Sequence, residues 1–283
     1  MTSTVDSSER ARVDLPLVGK TIAVTGSSSG IGQEIAIELA RQGADLILHG
    51  RSRSLGSDAT EEQIRKLGRQ AWQLFADFAD HESLNGFVQE AWNWRGRIDG
   101  WINNAGGDVL TGHWKEQPLE AKLQYLWQID VAATFTLSRA VGTKMVEFHV
   151  AQLANQSEHQ NGRFVILNMG WDQAWSGMAG ESGELFATTK GAIMAMSKSL
   201  AQSLAPAVRV NCLAPGWIQT KWGQAASDYW DQRAKAESLM HRWGQPADVA
   251  QVAAFLCSDA GGFINGQVIP VNGGFRFQAT TDS

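Results

Sequence analysis

Thr25-Gly26-Ser27-Ser28-Ser29-Gly30-Ile31-Gly32 lies between two kinds of pattern. A β-branched run, Thr21 to Thr25, leads into it, and a helical pattern, Gly30 to Gln42, leads out of it. A glycine pattern alone is a weak signal, but between a strand and a helix it is a strong one. Gly26 permits a tight turn, Gly30 lets the backbone approach a pyrophosphate, and Gly32 lets the helix pack close on the sheet. The N-terminus of that helix offers unsatisfied N–H groups and a partial positive charge to phosphate oxygens. The alternative, a purely structural turn, has to be weighed against the rest of the chain.

The same alternation continues outward. Ala44 to His49 reads as the next strand and Thr60 to Leu67 as the next helix. Ile98–Ile102, Phe164–Leu167, Val208–Cys212 and Gln267–Val271 read as later strands. Strands alternating with helices predict a parallel sheet covered on both faces, an α/β fold. Residues 1–15 are polar and charged and read as a disordered tail, which leaves 16–283 as a single domain. The polar stretch 151–162 reads as a solvated loop or helix extension.

Composition excludes several classes. With 43% hydrophobic and 19% charged residues over 283 positions, the chain has a globular balance and can bury a large core. A net charge of −5 argues against a nucleic-acid or anionic-membrane partner. Cys212 and Cys257 lie in apolar runs and read as core filler rather than a disulfide or metal ligands, so no metal is expected. No run is apolar enough to span a bilayer and the N-terminus lacks an apolar signal core, so a cytoplasmic location is expected.

Further segments follow in order: Ala76-Asp77-Phe78-Ala79-Asp80, Asn103-Asn104-Ala105-Gly106, Phe186-Ala187-Thr188-Thr189-Lys190 and Pro215-Gly216-Trp217-Ile218-Gln219-Thr220. Arg242 to Ala250 and Gly266 to Gly274 complete the series. With the glycine turn, they make the chain resemble the short-chain dehydrogenase/reductase family, 3-oxoacyl reductases in particular, from Leu17 to Phe275. The resemblance implies a Rossmann-type doubly wound parallel sheet of about seven strands in one domain. It implies a nicotinamide cofactor held by Gly26, Ser28, Ser29, Gly30, Ile31 and Gly32. Asp77 would accept from the adenine amino group, with Phe78 beside it. Asn104, Ala105 and Gly106 would line the cofactor, and Asn103 would stiffen the sheet. Pro215, Gly216 and Ile218 would shape the turn before Thr220, which would hold the carboxamide. Lys190 would donate to the ribose hydroxyls. The resemblance also implies a homodimer or homotetramer, with Phe263 to Phe275 as the terminal segment involved.

At the end of the second strand, Leu48-His49-Gly50-Arg51-Ser52, an acidic residue would bind a ribose 2′-hydroxyl. Here the position is Gly50, and Arg51 follows. A guanidinium suits a 2′-phosphate, so the expected cofactor is NADP(H), with Ser52 or Arg53 assisting. The competing reading is a solvated surface arginine.

The family's chemistry couples hydride transfer to proton transfer through a tyrosine, a lysine, a serine and an asparagine. Lys190 is present. Phe186 occupies the tyrosine position, Asp130 the asparagine position and Met169 the serine position. Lys190 is explained by ribose binding alone. Asp130 either pairs with Lys190 or is an N-cap-like or exposed carboxylate. Asp172 either serves as a substitute acid or is a solvated loop residue. Tyr125 reads as packing, Tyr229 as a lid aromatic, and Ser176 and Ser182 as turn formers. Trp171, Trp175, Trp217, Trp222 and Trp230 either form an apolar pocket or, the favoured reading, repeat the core filling suggested by Trp72, Trp92, Trp94 and Trp101. Two functions remain. One is an NADP(H)-dependent oxidoreductase reducing a carbonyl, or oxidising the alcohol, with a non-standard proton donor. The other is a catalytically silent NADP(H)-binding sensor or partner subunit.

Overall fold

The computed structural model describes residues 15–84, 86–155 and 162–275. The expected tail therefore lies outside the described residues, except Leu15. The first half runs β1 (Thr21–Val24), α1 (Gly30–Arg41), β2 (Asp45–Gly50), α2 (Leu55–Lys66), β3 (Ala71–Phe75), α3 (His81–Leu84), α4 (Phe87–Asn93) and β4 (Gly100–Asn103). Next come α5 (Leu119–Leu126), a π-helical turn at Trp127–Ala132, α6 (Ala133–Asn155) and β5 (Phe164–Met169). The chain continues through α7 (Gln173–Ser176), α8 (Glu181–Leu204), β6 (Val208–Pro215), α9 (Lys221–Gln224), α10 (Asp228–Glu237), α11 (Pro246–Cys257) and β7 (Val268–Val271).

The seven strands form one sheet in the order β3-β2-β1-β4-β5-β6-β7, and each neighbouring pair is parallel. Residues alternate across it. Ile22, Val24, Leu46, Leu48, Val165 and Leu167 pack with Ile35 and Leu39 of α1 and Val249 and Leu256 of α11. Ala23, Ile47, Trp101 and Ile166 pack with Phe87 of α4, Leu137 and Val141 of α6 and Leu200 of α8. Each fully buried Leu or Ile contributes about 1.5–3 kcal/mol, so the sheet is anchored on both faces. A polar chain also crosses its centre. Trp101 Nε1 donates to Asn103 Oδ1 at 2.8 Å, and Asn103 Nδ2 donates to Ser138 Oγ and Asn168 Oδ1, both at 2.8 Å. Asn168 Nδ2 then donates to Ser197 Oγ at 2.9 Å, so β4, β5, α6 and α8 are tied together.

Three local features differ from the sequence reading. β3 is an additional edge strand; its alternation of buried and partly exposed residues blurs the apolar signal. α2 starts at Leu55, before Thr60, because Ser54 and Ser57 form a reciprocal cap. Of the stretch 151–162, residues up to Asn155 continue α6, while 156–161 lie outside the described residues.

Candidate functional site

The strand order reverses between β1 and β4, and the crevice opens above their C-terminal ends, as in other open α/β sheets. Thr25 N donates to Ile102 O at 2.9 Å, and Thr25 Oγ1 accepts from the N–H groups of Asn104 and Ala105 at 2.9 and 3.0 Å. Gly26 has φ +64°, and a Cβ there would stand 2.8 Å from Ala105 Cα. A Cβ on Gly32 would collide with Gly26 O and the Asn104 amide. Gly32 thus lets α1 pack against the turn and Asn104 as well as the sheet. The Ser29 side chain makes no cap bond, so the first-turn N–H groups of α1 remain available to an anion.

A groove of about 650 Å³ runs along these loops. Gly26, Ser28, Ser29, Gly30, Ile31 and Gly32 line one stretch, and Asn104, Ala105 and Gly106 face them. Arg51, Asp77 and Phe78 line the far end, and Thr220 the near one. These residues fit a dinucleotide: bare glycine backbone and a helix N-terminus for phosphates, a guanidinium and a carboxylate at the far end. Arg51 has no hydrogen bond or ion pair among the described residues, whereas Arg53 is held by Asp58 at 3.0 Å. Ser52 is not among the residues that line the groove.

Sequence reasoning missed His49. Gly26 N donates to its Nδ1 at 3.2 Å, and its Nε2 lies 3.0 Å from Ala76 O. Burial pushes its pKa down to about 4, so the ring is neutral, and these partners assign the proton to Nε2. Phe78 stacks on it at 4.1 Å. His49 therefore braces the glycine turn against Ala76 and Phe78. A histidine ending the strand before a glycine was the available signal.

The groove continues into a cleft of about 600 Å³ through Ile31, Asn104, Gly107 and Thr220, which line both. Pro215, Gly216, Ile218 and Lys190 also line the cleft. Lys190 Nζ is 2.8 Å from Asp130 Oδ2, and Gly107 N donates to Asp130 Oδ1 at 2.7 Å. Asp130 is 1% exposed, which decides its two readings in favour of the ion pair. The π-helical turn Trp127–Ala132 carries it; such bulges recur at functional sites. Ser182, Phe186 and Lys190 follow at four-residue steps on α8, and all three line the cleft. Ser182 is thus a cleft hydroxyl, not only a turn former. Phe186 and Met169 present apolar surface where the resemblance leads one to expect a phenol and a hydroxyl.

Asp172 is buried but does not line the cleft. Asn272 Nδ2 donates to its Oδ2 at 2.9 Å, and that oxygen would be 3.0 Å from a Cβ on Gly216. Its Oδ1 has no hydrogen-bond partner among the described residues. Burial, partly opposed by the Asn272 bond, pushes its pKa up to about 6. Tyr125 lines the nucleotide groove, stacked on Trp114 at 3.9 Å, and Tyr229 is 62% exposed.

The tryptophans divide. Trp101 is fully buried, and Trp72, Trp92 and Trp94 pack against the core. Trp171, Trp217 and Trp230 line the cleft, so core filling does not account for them, while Trp243 is 4% exposed and both fills the core and lines the cleft. Trp175 is 60% exposed, and the Trp222 side chain lies outside the described residues. The legible signal was position: Trp217 directly follows the Pro215-Gly216 turn.

A family model described as Enoyl-(Acyl carrier protein) reductase matches residues 26–276. The chain is similar to the 3-oxoacyl-(acyl-carrier-protein) reductase of Aquifex aeolicus (strain VF5), with 33% identity over 266 residues covering 93% of this chain and 99% of that one. It is similar in structure to a 7α-hydroxysteroid dehydrogenase complexed with NADH and 7-oxo glycochenodeoxycholic acid, with TM-score 0.80, 28% identity and coverage of 96% and 98%. A short chain dehydrogenase from Burkholderia cenocepacia J2315 in complex with NADP gives TM-score 0.77, 28% identity and coverage of 92% and 98%. Agreement over nearly the full length of both chains, in sequence and in overall structure, leads to one conclusion: the chain belongs to the short-chain dehydrogenase/reductase family of oxidoreductases.

Proposed function

We propose that this protein is an NADP(H)-dependent oxidoreductase that reduces a carbonyl substrate, or oxidises the matching alcohol, without a side-chain phenol. The observation that carries the reading is Arg51, which lines the nucleotide groove and is committed to no other partner among the described residues. NADPH, when bound, supplies a hydride. The chain's own part is to seat the phosphates on the Gly26–Gly32 turn, the adenine beside Asp77 and Phe78, and the ribose hydroxyls at Lys190. Asp130 fixes the Lys190 ammonium and neutralises it. The indoles and Phe186 give the substrate an apolar wall, and water or the substrate itself supplies the proton in place of the missing phenol. The NADP complex of a relative adds support.

Within this reading the assembly is a homodimer or homotetramer. The exposed Trp127 and Phe135, beside Met196 and Leu200 of α8, offer an apolar face for a second copy. Two buried free thiols, Cys212 and Cys257, fit a reducing, cytoplasmic setting.

Fluorescence titration is expected to give NADPH an affinity about tenfold or more above NADH, since a charge-assisted bond contributes about 1.5–3 kcal/mol. Arg51→Asp is expected to invert or erase that preference. Equal affinities in the unaltered protein would refute the cofactor choice. The rival reading, a catalytically silent sensor, draws on Phe186 and Met169. It predicts the same titration but no hydride transfer to any ketone, so turnover assays beside the titration separate the two.

A further inference from the structure

The cleft has two properties that a ketone does not use. The first is its acid inventory. Phe186 and Met169 donate no proton, and among the described residues Lys190 is the one charged residue lining the cleft, matched at 2.8 Å by Asp130. General acid catalysis is typically worth about 10²–10⁴-fold, and a ketone becoming an alkoxide forgoes that factor here.

The second property is the indole wall. Trp217 lies 5.6 Å from Trp230 and 5.9 Å from Trp243, centroid to centroid. α10 supplies carboxylates to two of these rings. Trp217 Nε1 donates to Glu237 Oε2 at 2.7 Å, and Trp243 Nε1 donates to Asp231 Oδ1 at 2.9 Å. Glu237, itself buried, also accepts from Arg233 Nε at 2.7 Å and Gln173 Nε2 at 3.3 Å, so this part of the wall is preformed. An indole N–H bonded to a carboxylate leaves its ring face richer in electrons, and electron-rich faces attract cations. The guanidinium of Arg233, which does not line the cleft, already lies 5.8 Å from the Trp217 centroid and 5.3 Å from that of Trp230.

We propose that the cleft recognises a flat cationic nitrogen ring, an iminium, as a hydride acceptor. This rests on the NADP(H)-dependent hydride transfer proposed above. An iminium carbon gains two electrons and one hydrogen as hydride, forming a C–H bond. The C=N π pair moves onto nitrogen, and the product is a neutral amine. The reduced nicotinamide is oxidised by the same two electrons, and no proton enters or leaves. The step therefore needs neither a phenol at position 186 nor a hydroxyl at position 169. The neutral Lys190–Asp130 pair admits the cation, and the indole faces bind it.

The test compares N-methyl-3,4-dihydroisoquinolinium with 1-tetralone, a neutral ketone of similar shape. Calorimetry on the protein without nucleotide is expected to show the iminium binding at least tenfold more tightly. Trp230→Ala is expected to remove that difference, with a melting curve reporting the fold. Glu237→Gln keeps the hydrogen-bond acceptor and drops the charge. It is expected to weaken iminium binding about threefold and leave 1-tetralone unchanged. With NADPH present, kcat/KM for the iminium is expected to exceed that for 1-tetralone by at least a hundredfold. Equal or tighter binding of 1-tetralone overturns the proposal, as does iminium binding without reduction. Reduction of 1-tetralone without iminium binding overturns it while leaving the carbonyl reading in place. If neither compound is reduced although NADPH binds, both readings fall.

Discussion

Asp130 is a carboxylate with 1% exposure whose two oxygens are both committed, one to Lys190 and one to the Gly107 N–H. Asp130→Asn keeps the second contact and leaves the Lys190 ammonium without its counter-charge. Because that side chain is only 15% exposed, solvent compensates poorly, and a loss of about 2–3 kcal/mol in urea unfolding is expected. An unchanged midpoint would show the ion pair to be energetically idle. Asp172 works in the other direction. Its folded-state pKa of about 6 lies above the ordinary carboxylate value, so the folded chain holds the proton more tightly than the unfolded one. Asp172 therefore favours folding most at low pH, and that contribution disappears as pH rises from about 4 to about 6. Asp172→Asn is expected to match the unaltered protein near pH 4 and to exceed it by about 1–3 kcal/mol at pH 7.5. Parallel pH–stability curves for the two proteins would refute this.

At the scale of elements, α1 and the turn before it form one rigid unit. Gly32 belongs to the helix, yet its missing Cβ is what lets Gly26 O and the Asn104 amide close against the first turn. Gly32→Ala would force that contact apart. A stability loss of about 2–3 kcal/mol is expected from overpacking, together with a fall in NADPH affinity, because the phosphate-facing N–H groups move with the helix. Unfolding curves and fluorescence titration check the two effects separately. Normal values in both would mean that the turn has room the geometry does not show. α10 has a comparable role at the cleft. Asp231 and Glu237 lie at its two ends and hold the indoles of Trp243 and Trp217.

For the whole molecule, the order reversal between β1 and β4 sets the nucleotide groove and the indole cleft end to end. The glycine-lined groove thus lies on one side of Ile31, Asn104, Gly107 and Thr220, and the cleft with its indoles, Phe186 and Met169 on the other. The proposed homo-oligomer is a matter of this scale as well. Phe135 is 46% exposed and Trp127 48%, beside α8. Light scattering is expected to give a multiple of 30.8 kDa at micromolar concentration, and Phe135→Glu is expected to lower it. The monomer mass in the unaltered chain would refute the assembly.

The fold was legible because its signals are local. The glycine turn, the buried apolar runs and the alternation of strand and helix all follow from residues within a few positions of one another. The residues that line the groove were legible for the same reason, since Gly26 to Gly32, Asp77, Phe78 and Asn104 to Gly106 sit in short motifs at strand ends. β3 was not, because an edge strand with one open face loses the apolar run that marks its neighbours. Side-chain orientation was not legible either. Asp130 and Lys190 are 60 positions apart in sequence yet 2.8 Å apart in space, and only the packing of α8 against the π-helical turn joins them. The same holds for Asp172, turned to Asn272 across a separation of 100 residues, and for Trp217 and Trp243, held beside Trp230 by acids of α10. Local pattern determined which elements form, β3 apart, and carried the family resemblance that implies a nicotinamide cofactor. Contacts between residues far apart in sequence, made only once the helices close over the sheet, decided which side chains meet in the cleft.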